Sequence, residues 1–315
     1  MELAKLLLTF IFTLFFLHFA QSLPFILLHG LGNSCSGTQK FTTLLSQWSG
    51  VTGTCIEIGN GEKSSMFLRL DHQVRIVCDQ IKSMESLKGG YNLIGVSQGA
   101  LIARGVIEMC DDTPQVHNFI SFGGPQAGVI SFPHCNEGIF DCVRIAKLLK
   151  FLAYTKVVQN TIAPSGYIRL PNDHREYLKM CSFLPKINNE IEGQQILSYK
   201  QRFSNLANLI LIMDDNDTVL VPKETSHFGF YADGGFDEIL SAPETKWYEE
   251  DWFGLKTLYQ ANKVRNYIVK GGHVEISWGA AQEAIVPFLT DNSVPQEDRR
   301  PYDPADGNNI FRLLE

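Results

Sequence analysis

The stretch YNLIGVSQGA, residues 91–100, decides how this chain folds. Tyr91 to Val96 is mostly apolar, too short for a helix, and preceded by Gly89-Gly90, so it reads as a short buried strand. Ala100 to Met109 carries strong helix formers, with apolar residues at 101, 102, 106 and 109, and reads as a helix. Only one sharp turn separates the two, and Ser97 stands in it. Gly95 and Gly99 let the flanking backbones pass closely where a Cβ would hinder them. Strand, Gly-x-Ser-x-Gly, helix is the setting of a nucleophile elbow, in which the serine Oγ is pushed out above a sheet. The five-residue pattern alone has little specificity, and a serine that merely caps the helix would also fit it. The partners of Ser97 decide between the two readings.

Outward from this turn, short apolar runs alternate with helix-like patterns. PFILLHG (24–30) and TCIEIG (54–59) precede it, with a long amphipathic stretch at about 66–87, and HNFISFGG (117–124) follows. That alternation predicts an α/β fold: a mostly parallel sheet covered by helices on both faces. The rhythm breaks at about 131–200, where two cysteines, a helix-like stretch (about 140–159) and Pro-punctuated segments appear without a clear strand. It resumes at NLILIMDD (208–215) and VRNYIVKGG (264–272). The interruption predicts a helical cap inserted over the C-terminal edge of the sheet, within one domain spanning 23–290. The last 25 residues, 291–315, are polar, Pro-rich and acidic, and are expected to form a loosely ordered tail.

Composition narrows the possible partners. The 315 residues are 44% hydrophobic, ample for a large core, and carry a formal net charge of −7. Such a chain has no electrostatic affinity for nucleic acid or anionic membranes. Leu6 to Phe19 is almost wholly apolar and is followed by Ala20-Gln21-Ser22, the layout of a secretory signal peptide over residues 1–22 and too short to span a membrane comfortably. The expected destination is the secretory pathway, lysosome, vacuole or exterior, with no stable membrane anchor. Seven cysteines in that setting imply disulfides, with at least one thiol left over. Spacing does not fix the connectivity: Cys135 and Cys142 are close enough to staple one loop, while Cys35, Cys55 and Cys181 have no obvious mates. Zinc-type spacing, a P-loop and a complete dinucleotide loop are all missing from the sequence, so no cofactor or metal is expected.

A serine becomes an effective nucleophile when a base takes its proton and a carboxylate orients that base. In α/β-hydrolases the order is serine, acid, histidine. Here Asp214-Asp215-Asn216-Asp217 follows the strand NLILIM, and Gly271-Gly272-His273 follows VRNYIVK. Both groups fall beyond the carboxyl ends of strands, where α/β sheets collect their functional groups. Of the seven histidines after residue 22, His273 alone follows a late strand through a glycine pair. Any of Asp214, Asp215 or Asp217 could supply the acid. The oxyanion that develops during acyl transfer needs two backbone N–H donors. One falls to Gln98, after the nucleophile, and the other to Leu31 in the glycine-flanked loop HGLG, where His29 reads as a loop-ordering side chain. Leu148, Leu149, Phe151 and Leu152 in the insertion could line an acyl groove, although at helical spacing they read more simply as core.

These residues carry a family resemblance. The strings HGLGNSC (29–35), GYNLIGVSQG (90–99), ISFGG with AGV (120–129), YTKVVQ (154–159), NDTVLVP (216–222), HFGFY (227–231), GLK (254–256) and GGH (271–273) run in order over about 24–290. In them the chain resembles a palmitoyl-protein thioesterase of the α/β-hydrolase superfamily. The resemblance implies Ser97 as nucleophile, Asp217 as acid, His273 as base, Leu31 and Gln98 as oxyanion donors, and disulfides Cys78–Cys110 and Cys135–Cys142. It also supports glycosylation of Asn216 in the sequon Asn216-Asp217-Thr218. The implied reaction is hydrolysis of long-chain acyl thioesters, with S-acylated proteins, peptides or small acyl thioesters as substrate. A lipase acting on oxygen esters and a non-catalytic lipid-binding protein are the alternatives. Two departures stand out. Pro125 and Ala127 make the loop after ISFGG less polar than the family's. Ser34-Cys35-Ser36 has one cysteine where the family commonly has two adjacent, which predicts a free thiol.

Overall fold

The central strands form on short, largely apolar runs. In chain order the strands are β1 (Phe25–Leu28), β2 (Gly53–Cys55), β3 (Tyr91–Val96), β4 (Val116–Phe122), β5 (Asn208–Asp214), β6 (Phe230–Tyr231), β7 (Ile239–Leu240), β8 (Val264–Val269), β9 (Glu275–Ser277) and β10 (Ile310–Arg312). The computed structural model describes residues 23–130, 152–290 and 309–313. The expected signal peptide, Cys135, Cys142, Leu148, Leu149, Phe151 and residues 291–308 lie outside them.

Six strands make one sheet in the order β2-β1-β3-β4-β5-β8, with every neighbouring pair parallel. Alternate residues of each central strand serve opposite faces, because successive side chains of a strand point to opposite sides. Ile26, Leu28, Leu93, Phe119 and Leu209 join one apolar core, and Phe25, Leu27, Ile94, Ile120 and Ile210 the other. Helices cover both, as the near-continuous apolar strands require. They include α1 (Cys35–Ser49), α2 (Glu62–Phe67), α3 (Leu70–Ser83) and α4 (Gln98–Met109). The amphipathic stretch at 66–87 is therefore not one helix. The chain extends at Leu68, and Gln73 Nε2 donates to Leu68 O at 2.6 Å and Ser64 O at 3.1 Å, capping α2 where it stops. The chain passes from β2, on one side of β1, to β3 on the other. At that switch point the loop after β1 faces the turn after β3.

Between β4 and β5 the described part of the insertion is a run of short helices: α5 (Lys156–Thr161), α6 (His174–Met180), α7 (Leu184–Ile187) and α8 (Leu197–Ser204). The helix expected over about 140–159 is interrupted in its described part: residues 153–155 turn, and α5 starts afresh at Lys156 behind the N-cap Thr155. Pro164, Pro171 and Pro185 each start a new turn, since proline cannot continue a helix from within. Arg104 clamps this layer onto α4. Its Nε donates to Glu108 Oε1 at 2.7 Å, Nη1 to Gln126 O at 3.2 Å and Nη2 to Ile187 O at 2.9 Å, and its guanidinium lies 4.1 Å from the centre of the Phe253 ring.

The structure corrects two expectations. Cys35 is bonded to Cys55 and is not free. The reason is strand pairing: Cys55 ends β2 opposite Leu27, and α1 begins with Cys35 just beyond β1, so the two Cα atoms stand 5.6 Å apart. The unpaired thiol among the described residues is Cys181, which burial pushes up to about 12. Cys78 and Cys110 are bonded, tying α3 to the end of α4. Within the stretch expected as a loose tail, β10 pairs antiparallel with β9 and buries Phe311 and Leu313. The ring of Phe311 stacks on Trp278 and meets Phe41 edge-on, which accounts for its departure from the polar context around it.

Candidate active site

Ser97 leaves β3 with φ 53° and ψ −126°, a backbone conformation that L residues rarely adopt and that is sustained here by its surroundings. Its N–H donates to Phe122 O at 2.8 Å, so the parallel sheet reaches right up to the turn. The two glycines are required by contact distances. A Cβ on Gly95 would lie 2.3 Å from Ala100 Cα, and one on Gly99 would lie 2.4 Å from Leu28 O. The start of α4 is thus pressed against the end of β1, and Ser97 is lifted above the sheet.

His273 follows β8 and Asp217 follows β5, neighbouring strands whose carboxyl ends open beside that of β4. Ser97 Oγ lies 2.8 Å from His273 Nε2, and His273 Nδ1 lies 2.6 Å from Asp217 Oδ2. A carboxylate can only accept, so the bonding places the ring proton on Nδ1 and leaves Nε2 to receive the serine hydrogen. The other Asp217 oxygen accepts from the Val219 and Leu220 N–H groups at 2.8 and 2.9 Å, which fixes the carboxylate plane. All three side chains are buried. This arrangement can move a proton from Ser97 to His273 while Asp217 stabilises the imidazolium that forms.

The backbone N–H groups of Leu31 and Gln98 have no acceptor among the described residues. Around them almost everything is tied. His29 Nδ1 lies 3.0 Å from Gly30 O and Nε2 lies 2.8 Å from Glu57 Oε1, the loop-ordering role read from the sequence. The Gln98 side chain runs from Tyr167 Oη, which donates to Oε1 at 3.2 Å, to Ser65 O, which accepts from Nε2 at 2.7 Å.

The three acids that sequence could not separate have different surroundings. Asp215 is partly exposed and accepts from the Gly271 N–H at 3.1 Å. Asp214 is fully buried and accepts from the Val274 N–H at 2.9 Å, next to His273. Burial, reinforced by Asp217, Glu275 and Asp215 and only partly offset by the Val274 N–H, pushes the Asp214 carboxyl up to about 8. Val274 holds φ 52°, costly for a β-branched residue, and its C=O accepts from the Leu313 N–H at 3.3 Å. Sequence reasoning missed this support of the histidine turn, because its partners lie 60 and 39 residues from Val274 in opposite directions along the chain. Asp214, Asp217 and His273 bring potential ligand atoms within 4.8 Å of one another. A cation there would have to displace the hydrogen bonds just described. Asn216 is exposed, and Ala127 is buried with its N–H on Thr225 Oγ1 at 2.9 Å.

The family described as palmitoyl protein thioesterase matches residues 24–273 of the chain. Palmitoyl-protein thioesterase 1 of Caenorhabditis elegans is 33% identical over 264 residues, covering 81% of this chain and 88% of that protein. Palmitoyl-protein thioesterase 3 of Dictyostelium discoideum is 31% identical over 273 residues, covering 86% and 91%. The lysosomal thioesterase PPT2 homolog of Drosophila melanogaster is 32% identical over 279 residues, covering 84% and 91%.

Proposed function

The chain belongs to the palmitoyl protein thioesterase family, and from that premise we propose that it hydrolyses long-chain acyl thioesters through Ser97, His273 and Asp217. The observation that carries the residue assignment is the continuous relay from Ser97 Oγ to His273 Nε2 and from His273 Nδ1 to Asp217 Oδ2. As Oγ attacks the thioester carbonyl carbon, His273 Nε2 takes its proton. The carbonyl oxygen becomes an oxyanion and accepts from the Leu31 and Gln98 N–H groups. Collapse breaks the C–S bond, and the thiolate leaves with the proton carried by His273. Water then attacks the acyl-enzyme, with His273 again accepting a proton, and the fatty acid departs as Ser97 regains its hydrogen. A single donor to the oxyanion is worth about 3–4 kcal/mol of barrier.

S-acylated proteins or peptides and small acyl thioesters are the substrate classes in this reading. Residence in the lysosome or along the secretory pathway is supported by relatives named lysosomal thioesterases and by two disulfides, which persist in oxidising compartments. The exposure of Asn216 supports a glycan at its sequon.

The test pairs a palmitoyl-cysteine peptide with a p-nitrophenyl ester of equal chain length, each offered to wild type and to Ser97→Ala. Dominant thioester turnover that disappears in the variant is the expected result. Cleavage of the ester alone would leave a lipase or esterase. Turnover that survives the substitution would remove Ser97 from the mechanism.

A further inference from the structure

We propose that Ser65 is a positioning residue that aims both oxyanion donors at the reacting carbonyl. The proposal rests on the reading of Ser97 as the nucleophile. Ser65 belongs to α2, an element with no part in the triad, and is fully buried. Its Oγ–H donates to Glu62 O at 2.7 Å, which turns the oxygen lone pairs away from the helix. Those lone pairs accept from the Gly32 N–H at 2.8 Å. Its backbone carbonyl accepts from Gln98 Nε2 at 2.7 Å. One residue thereby holds the chain immediately after Leu31 and the side chain of Gln98, on two loops that lie 66 residues apart in sequence.

The direction of the Leu31 N–H follows from peptide planarity. In a trans peptide the carbonyl and the N–H point opposite ways, so fixing Gly30 O fixes the Leu31 N–H. His29 lies against that carbonyl. It cannot act alone, because Gly32 has φ +67° with open space where a Cβ would be, and glycine turns freely about its backbone bonds. Ser65 Oγ removes that freedom on the far side of Leu31. On the other loop, the Gln98 side chain is pinned between Ser65 O and Tyr167 Oη, which steadies the first turn of α4 and its unshared N–H. The carbonyl of Ser65 is open to Gln98 because α2 ends at Phe67; it also accepts from Gln73 Nε2 at 3.4 Å, whose shorter bonds go to Ser64 O and Leu68 O. A preformed hole stabilises developing charge without reorganisation at the moment of reaction, which is why two hydrogen bonds remote from the substrate bear on rate.

The test uses Ser65→Ala, which deletes the hydroxyl that accepts from the Gly32 N–H, and Ser65→Cys, which keeps the volume but accepts poorly. Both keep the carbonyl that holds Gln98, so they read the Leu31 side of the hole. Ser64→Ala is the control: its hydroxyl accepts from the Asn60 N–H in the turn before α2 and touches neither loop. Two readouts are taken, kcat and KM on the p-nitrophenyl ester and the affinity of a long-chain trifluoromethyl ketone. That ketone forms a hemiketal oxyanion with an active serine and needs no thioester. Both Ser65 variants are expected to lower kcat about tenfold and weaken the ketone by a similar factor, with KM within about twofold of wild type. Ser64→Ala is expected to change neither. Wild-type kcat and ketone affinity in the Ser65 variants would overturn the proposal. A loss of melting temperature with unchanged ketone affinity would overturn it too, since that is a purely structural role. A wild type that neither turns over the ester nor binds the ketone overturns the hydrolase reading, and this proposal with it.

Discussion

The carboxyl edge of the sheet and the inserted layer above it are held in contrasting ways. At the edge, each functional residue sits one to four residues beyond a strand, and backbone groups fix it: the Val219 and Leu220 N–H groups hold the Asp217 carboxylate, and Phe122 O accepts from the Ser97 N–H. In the insertion, short helices are tied to α4 by a buried cation, Arg104, which pairs with Glu108 on its own helix and donates to Gln126 O and Ile187 O. The first region is precise because strands are rigid and loops are short. The second is stable only while its side-chain network is complete. Chemistry and architectural stability are therefore expected to separate under substitution.

The largest effect is expected at the edge. Asp217→Asn should lower kcat by about 10⁴-fold, because an amide facing His273 Nδ1 favours the wrong tautomer, while the melting temperature stays close to wild type. Steady-state kinetics beside a thermal melt checks this, and a loss of under tenfold would break the contrast. Arg104→Met should do the reverse. Removing the cation leaves Glu108 buried and uncompensated, at a cost of about 3–5 kcal/mol. The melting temperature should fall by roughly 10 °C, with kcat per active site, titrated with a fluorophosphonate, unchanged. A kcat that fell in proportion would show that the insertion sets the catalytic geometry as well.

A smaller difference between the two regions is expected in their response to pH. Burial pushes Glu108, in the clamp, up to about 7 and Asp214, at the edge, up to about 8. In the unfolded chain both would ionise near pH 4. Between those values the folded protein holds protons that the unfolded chain has released, so this stability is greatest in acid and is lost as pH rises through the folded values. From about pH 5 to about pH 8 the melting temperature of wild type should drop more than that of Asp214→Asn, by a few degrees. Equal slopes in the two proteins would mean that Asp214 is already ionised in acid.

Most of the sheet was legible because its signals are local. Tyr91–Val96 and Asn208–Asp214 are short, mostly apolar runs, and the glycines around Ser97 mark a turn whose tightness the contact distances explain. Spacing could rank neither Asp217 over Asp214 nor Cys35 with Cys55. Each choice depends on which strands lie side by side, and only the resemblance favoured Asp217. The burial of Phe311 was hidden because the stretch 291–309 before it is polar and Pro-rich and its partners in α1 and beside β9 are distant in sequence. Ser65 gave no signal at all. A serine just ahead of an amphipathic stretch looks like any other until the loop after β1 is seen to fold onto it.

If Ser97 is the nucleophile, it carries the acyl group during turnover. The most direct measurement is intact-mass and peptide mass spectrometry of the enzyme acid-quenched within milliseconds of mixing with a palmitoyl thioester. A palmitoyl increment on the peptide containing Ser97, absent from Ser97→Ala and cleared as turnover proceeds, is the expected result. Thioester turnover with no acyl group on Ser97, or with one on another residue, would contradict the account.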